Sequence, residues 1–470
     1  MNLVDLRKIK PLIFNKEELV SKYGNGFFEN IINGEDGIIY RKYKKYGNDF
    51  LRKINGEFAY LYHDKTEKYI FATRDWIGEM PLHYAISGGS IYFANFIHDL
   101  LKNLPDLKYE EIVAVNRSEV VEINSETGQV RKHLYYNFNK EKNEIAYDKL
   151  EDVAKKVHDF LFKATKDRLI KKIKKTALLL SGGIDSMSIA YIVSTLCKNV
   201  TAYTIEVASQ QSTDLVRAYQ ITKTFGINHK IINVSEKEIL NCVEEAVKDS
   251  EIYHMYNVFC AVGMHKLANV LKDDGIKYVF TGEGGNEAFG DYHDWIVVDP
   301  ETKKELVLQR TSKDFNEPAG REAYIWGNLL AEAQGRYNIQ LGSGLGKHGG
   351  SRMYKPMFKN GVYLLSPYFE KLIMKIIANI PFEILEKIGG KPGFMKMVFA
   401  DEINSGKIPE ELFEVKKIRF QDASDGGEGG ITGTLLSHGY NQKKLIKIFN
   451  NIFRANIKPL PHLKETILIK

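Results

Sequence analysis

Two glycine-rich stretches hold the residues best placed to do chemistry. The first is Ser181-Gly182-Gly183-Ile184-Asp185-Ser186, behind the apolar run Ala177-Leu178-Leu179-Leu180. The second runs from Thr281 through Gly282, Glu283, Gly284, Gly285 and Asn286 to Tyr292, behind Tyr278-Val279-Phe280. Adjacent glycines remove the Cβ atoms that would keep a ligand off the backbone. Their N–H groups, the Ser181 and Ser186 hydroxyls and the positive end of a following helix then face one point, which suits a pyrophosphate. Asp185 inside such a nest suits a magnesium ion. The plainer alternative is a strand–turn–helix corner with serine caps. Two glycines, an acid and a second serine directly behind a buried strand favour the phosphate site.

The elements that must present these loops can be read from periodicity. Ala177–Leu180 is expected to be a buried strand, and the apolar pattern from Met187 through Leu196 a helix. Beyond it, strands are expected at 200–207, 229–234 and 278–280. Helices are expected at 213–225, ended by Gly226, and at 236–249 and 257–273. Alternating strands and helices require a parallel, doubly wound α/β sheet. In such a sheet both glycine-rich loops fall on the carboxyl edge, which makes a nucleotide cleft. Residues 1 to about 145 read instead as β-rich, with short aromatic and β-branched segments at 58–62, 69–73, 82–85, 90–94, 113–123 and 133–136. Helices there are few, at 16–23 and 97–104. An amphipathic helix within 147–174, with Val153, Val157, Leu161 and Ala164 on one face, leads into the second domain.

The remaining segments are less informative. A charged hairpin is expected at 295–310, and helices at 321–334, 369–380 and 394–404. Residues 421–430 suit a lid better than a linker, and the tail after Phe453 reads as loosely structured. The basic run Arg41–Lys45, with Tyr40, Tyr43 and Tyr46, reads as a solvated face.

Composition bounds the classes. The chain has 470 residues, 44 % hydrophobic and 27 % charged, which is ordinary for a globular protein of two or three domains. A net charge of +6 suits an anionic small molecule and is too diffuse for nucleic acid. Cys197, Cys242 and Cys260 are the only cysteines and form no C-x-x-C pair. That argues against a zinc or disulfide framework and for a reducing compartment. No apolar leader or membrane-spanning run is evident, so a cytoplasmic location is expected.

The motifs, taken together, resemble a known family. Asn55-Gly56-Glu57-Phe58-Ala59, Arg74-Asp75-Trp76-Ile77-Gly78, Pro81-Leu82 and Phe93-Ala94 resemble the N-terminal glutaminase domain of asparagine synthetases. Asn95 stands where the last motif has serine. Ser181–Ser186, Thr281–Gly290, Ser366-Pro367-Tyr368 and Lys416–Ser424 resemble the synthetase domain shared by asparagine and β-lactam synthetases. The likeness implies an Ntn-hydrolase-like domain over 1–146 and a PP-loop ATP pyrophosphatase domain over 147–470. It also implies adenylation of a carboxylate by ATP with Mg2+, release of pyrophosphate, and attack of an amine on the acyl-adenylate.

Carried onto these positions, Ser181, Gly182, Gly183, Ser186, Thr281 and Gly282 would hold the phosphates, and Asp185 and Asn286 the metal. Glu283 would take the amine's proton. Lys417 would stabilise the tetrahedral intermediate, with Lys416 as its competitor, and Lys391 or Lys396 would supply a second phosphate contact. Two departures stand out. Asn286 replaces the family's second metal-binding Asp, which removes a charge. The glutaminase nucleophile is an N-terminal cysteine, whereas this sequence begins Met1-Asn2 and has its first cysteine at 197. The first domain is therefore expected to be a scaffold without glutaminase chemistry.

The resulting expectation is an AMP-forming amide ligase of specialised metabolism, similar to β-lactam synthetases. Its partners would be a small-molecule carboxylate and an amine, with neither nucleic acid nor membrane, and a homodimer is one open assembly. The alternatives are a catalytically impaired nucleotide-binding or regulatory homologue and an ammonia-dependent asparagine synthetase.

Overall fold

The computed structural model describes residues 2–5, 12–23, 37–136, 149–169, 175–207, 212–289, 295–298, 305–308, 349–378, 380, 382–414 and 430–457. The amino-terminal part is built on two four-stranded sheets. One orders its strands Asn2–Asp5, Ser90–Ala94, His83–Ser87 and Val113–Ala114; the other orders Val130–Leu134, Glu119–Asn124, Tyr69–Arg74 and Ala59–Asp64. Alternating side chains from both, including Leu61, Ile70, Ala72, Tyr84, Ile91 and Phe93, form one buried cluster between them. The basic run belongs to a helix, Ile38–Tyr46, that sequence reading passed over. Ile38, Ile39 and Tyr40 are buried while Arg41, Lys44 and Lys45 are exposed, so the solvated face is one side of an amphipathic helix.

Helix Leu150–Arg168 leads into a five-stranded sheet, with Val153, Val157, Leu161 and Ala164 buried as their spacing requires. The sheet orders its strands Asn228–Val234, Val200–Val207, Thr176–Leu179, Tyr278–Phe280 and Tyr363–Leu365, and every neighbouring pair is parallel. Strand Thr176–Leu179 lies at the centre, and successive strands are added first on one side of it and then on the other. Its carboxyl end is therefore the switch point where ligands bind in open α/β sheets. Helix Ile184–Leu196 packs so deeply that Ile189, Ile192 and Val193 are fully buried, each worth roughly 1.5–3 kcal/mol of apolar transfer.

Three expected elements divide. The stretch 236–249 forms two helices, Glu236–Asn241 and Val243–Ser250, because the Cys242 N–H tightens onto the Ile239 carbonyl at 3.2 Å. Helix 394–404 becomes Gly390–Val398 and Ala400–Asn404, broken at Phe399 (φ −109°, ψ 26°), whose ring is fully buried. The second glycine-rich stretch is not wholly loop, since Gly285–Phe289 is a short helix. The expected hairpin is present as the antiparallel pair Trp295–Val298 and Glu305–Leu308. The helix expected at 321–334 and the lid over 421–429 lie outside the described residues.

The two parts share a continuous core that runs from Ile39, Phe50 and Tyr109 to Phe259, Phe394 and Phe449. Arg168, 1 % exposed, anchors the seam. Its guanidinium lies 4.4 Å from the Phe14 ring and 3.8 Å from Glu370 Oε2, and Asn55 also donates to Glu370. Lys355 pairs with Glu251 at 2.5 Å, Lys359 with Asp99 at 2.9 Å, and Lys371 Nζ donates to the Arg52 carbonyl at 2.7 Å. Glu57 is fully buried and neither of its oxygens has a hydrogen-bond partner. Burial pushes its carboxyl well above the usual range against the pull of Arg168. Among the described residues, no helix is long and apolar enough to cross a membrane.

Candidate active site

The first loop leaves strand Thr176–Leu179 and turns at Gly182, whose φ of +75° suits glycine. A Cβ there would stand 2.6 Å from the Asp214 carbonyl oxygen. Arg217 holds the same turn from outside: its Nε donates to the Gly182 carbonyl at 3.0 Å, and its terminal nitrogens reach the Leu412 and Glu414 carbonyls at 3.1 and 3.4 Å. Inside the turn, Ser186 Oγ donates to the Gly183 carbonyl at 3.0 Å and accepts from the Ser181 N–H at 3.3 Å. The two serine hydroxyls lie 3.2 Å apart. Helix Ile184–Leu196 starts here with Gly183 as its N-cap, so its first N–H groups open beside the exposed Ser181.

The second loop is locked against the first. Thr281 continues its strand by donating its N–H to the Leu365 carbonyl at 3.1 Å, and Thr281 Oγ1 accepts from the Glu283 N–H at 3.3 Å. Ser366 Oγ donates to the Glu283 carbonyl. Gly284, at φ +95°, passes beneath the Phe369 ring. A Cβ on Gly282 would meet the Ser186 nitrogen at 2.5 Å, and one on Gly285 would meet Asp185 Oδ1 at 2.3 Å. The structure thus brings Ser181, Gly182, Gly183, Asp185, Ser186, Thr281, Gly282, Glu283 and Asn286 together on one sheet edge. Lys417 and Lys416 lie outside the described residues.

The two remaining candidate lysines have different partners. Lys391 Nζ donates to Asp185 Oδ2 and to Asn286 Oδ1, each at 2.7 Å, and the residue is only 5 % exposed. Lys396 instead pairs with Glu410 at 2.9 Å and Glu414 at 3.3 Å. Asp185 and Asn286 were the expected metal pair, and the space between their oxygens is filled by an ammonium. Asp185 Oδ1 has no hydrogen-bond partner, but the Gly285 backbone walls it off. Among the described residues no group of three or more His, Cys, Asp or Glu side chains could hold a metal. The pair therefore does not fit a divalent ion shared between them.

Two arginines escaped sequence reading. Arg217 grips the first loop, and Arg352 brings Nη2 to 3.8 Å from Glu283 Oε1 while Nη1 donates to Asn257 at 3.2 Å. Neither sits in a local motif. Each reaches its target across the chain, so spacing carried no signal. Beside Arg352, burial and that positive charge push the His254 imidazole down to about 4.

Known proteins resemble this chain over both of its parts. The asparagine synthase family profile matches residues 156–348, and the glutamine amidotransferase domain profile matches residues 10–142. A putative glutamine-hydrolysing asparagine synthetase of Methanocaldococcus jannaschii is 23 % identical over 418 residues, covering 81 % of this chain and 71 % of that protein. A probable asparagine synthetase of Acanthamoeba polyphaga mimivirus is 23 % identical, covering 80 % of this chain and 65 % of its own length. The amidase chyE of Penicillium rubens is 26 % identical, with 61 % and 49 % covered. This chain thus spans between about half and about 70 % of the length of these relatives. With an amidotransferase-type domain followed by an asparagine synthase domain, the chain belongs to the asparagine synthetase family.

Proposed function

We propose that this ATP-dependent C–N ligase of the asparagine synthetase family adenylates a substrate carboxylate and couples it to an amine other than glutamine-derived ammonia. A carboxylate oxygen attacks the α-phosphorus of ATP, the bond to pyrophosphate breaks, and an acyl-adenylate remains. The amine then attacks the acyl carbon, the C–O bond to AMP breaks, and the amine's proton passes to a base. Ser181, Ser186, Thr281 and the glycine N–H groups would hold the departing pyrophosphate. Glu283 would be the base, with Arg352 within ion-pair reach of its carboxylate. Lys417 would stabilise charge on the tetrahedral intermediate and the leaving AMP. The stem leading toward Lys417, Leu412–Glu414, is tied by Arg217 to the first loop.

The observation that carries this reading is the interlocking of two glycine-rich loops at the carboxyl edge of a parallel sheet. The choice of amine is supported by residues 10–142, which match the amidotransferase profile and contain no cysteine. The reading includes a scaffold domain over 1–146, a synthetase domain over 147–470, a cytoplasmic setting and a place in specialised metabolism. Exchange of labelled pyrophosphate into ATP across a panel of carboxylic and amino acids tests it. Exchange with a particular acid that Ser186→Ala abolishes, and amide formation that Lys417→Ala abolishes, are expected. Tight ATP binding without exchange for any acid would sink the ligase. Ordinary rates of asparagine formation from aspartate and ammonium would sink the choice of substrates.

A further inference from the structure

We propose that the Lys391 ammonium is the built-in counter-charge for pyrophosphate, standing where the Asp185–Asn286 pair would otherwise share a divalent ion. The proposal rests on the nucleotide-site reading above and adds to it which cation the protein itself supplies. Three observations carry it.

The first is geometric. An ammonium 2.7 Å from both Asp185 Oδ2 and Asn286 Oδ1 occupies the point to which the two side chains converge. Those are normal charge-assisted hydrogen-bond lengths, whereas magnesium would need oxygens at about 2.0–2.1 Å in octahedral array. A metal between these oxygens would have to evict a buried cation.

The second is charge. A pair of carboxylates would leave a net negative charge for a divalent ion to cancel, but Asn286 is neutral. The Lys391 ammonium already faces the one carboxylate, Asp185. Adding a divalent ion beside them would place two cations against a single protein anion in a largely buried site.

The third is rigidity. Lys391 lies in the first turn of helix Gly390–Val398, entered through Gly389 at φ +88°. Phe394 of that helix is fully buried, with its ring 5.6 Å from that of Phe289 on the short helix bearing Asn286. The backbone segments that carry the ammonium and its amide acceptor therefore belong to two helices packed on each other.

Inorganic pyrophosphate, titrated calorimetrically into the full chain, tests the proposal. The wild type is expected to bind it in the presence of a chelator with an affinity within about threefold of that in magnesium. Lys391→Met is expected to weaken chelator-condition binding at least about tenfold, and Lys391→Arg to retain most of it. Because Lys391→Met strands a partly buried Asp185 charge, the double variant Asp185→Asn/Lys391→Met provides a folded comparison, expected to show the same loss. Asn286→Asp/Lys391→Met restores two carboxylates and is expected to gain manganese binding, read by electron paramagnetic resonance, that the wild type lacks. A wild type whose pyrophosphate binding collapses in chelator, or which takes up manganese at this pair, overturns the proposal. So does a double variant that binds as well as wild type. Failure to bind ATP or pyrophosphate with or without magnesium would instead overturn the nucleotide-site reading, and the proposal with it.

Discussion

A single methyl group at position 285 would collide with the Asp185 carboxylate, so Gly285→Ala tests the interlock with the smallest possible change. The variant is expected to lose at least about tenfold in pyrophosphate exchange while far-ultraviolet circular dichroism stays unchanged, since overpacking of this kind costs about 1–3 kcal/mol locally. Gly226→Ala, at a helix end with open space around it, is the control: its φ of +65° carries backbone strain but touches nothing in the site. Asp214 offers a pH handle beside the same loop. Burial, with Glu206 nearby and against the pull of Arg217, pushes its carboxyl up to about 7. A group whose folded pKa lies above its unfolded value favours folding most below the unfolded value, near 4, and that contribution is lost as pH rises to about 7. Thermal unfolding should therefore show stability falling across pH 4–7. Asp214→Asn should flatten that decline and raise the melting temperature at pH 8 by a few degrees.

At the level of elements, the seam between the two parts depends on helix Leu150–Arg168 presenting one arginine at its last turn. Replacing Arg168 with Met leaves Glu370 without its buried cation and is expected to cost about 3 kcal/mol in chemical denaturation. Glu57→Gln should cost far less, because burial already favours the neutral form of that carboxyl. The strand–glycine–helix units were legible because period and punctuation coincide: Ala177–Leu180 is continuously apolar, Gly182 and Gly183 end it, and an apolar helix follows. Helix Gly349–Lys359 was illegible for the opposite reason. Its Gly349, Gly350 and internal Pro356 read as breakers, yet tertiary contacts made by Tyr354, Lys355 and Met357 hold it. The break at Phe399 was equally hidden, since nothing local distinguishes a buried phenylalanine inside a helix from one that ends it. The cleft residues carried their own motifs, whereas Arg217 and Arg352 act only through reach across the fold.

At the scale of the whole molecule, the described residues of the two parts are joined by apolar and polar contacts alike. Phe96 stacks on Phe358 at 5.8 Å, Tyr109 meets Phe449 edge-on at 5.6 Å, and Arg454 donates to the Leu101 carbonyl at 2.7 Å. Calorimetry should accordingly show one cooperative transition, and residues 1–146 expressed alone should fail to fold; two resolved transitions would contradict the continuous core. That continuity ties the first part to the second, since deleting residues 1–146 would expose the apolar face of the synthetase half. It also links amide protection in one half to occupancy of the other. If strand Tyr69–Arg74 opens only when the whole chain unfolds, nucleotide at about a hundred times its dissociation constant should slow hydrogen exchange there roughly a hundredfold, although the ligand touches none of those residues.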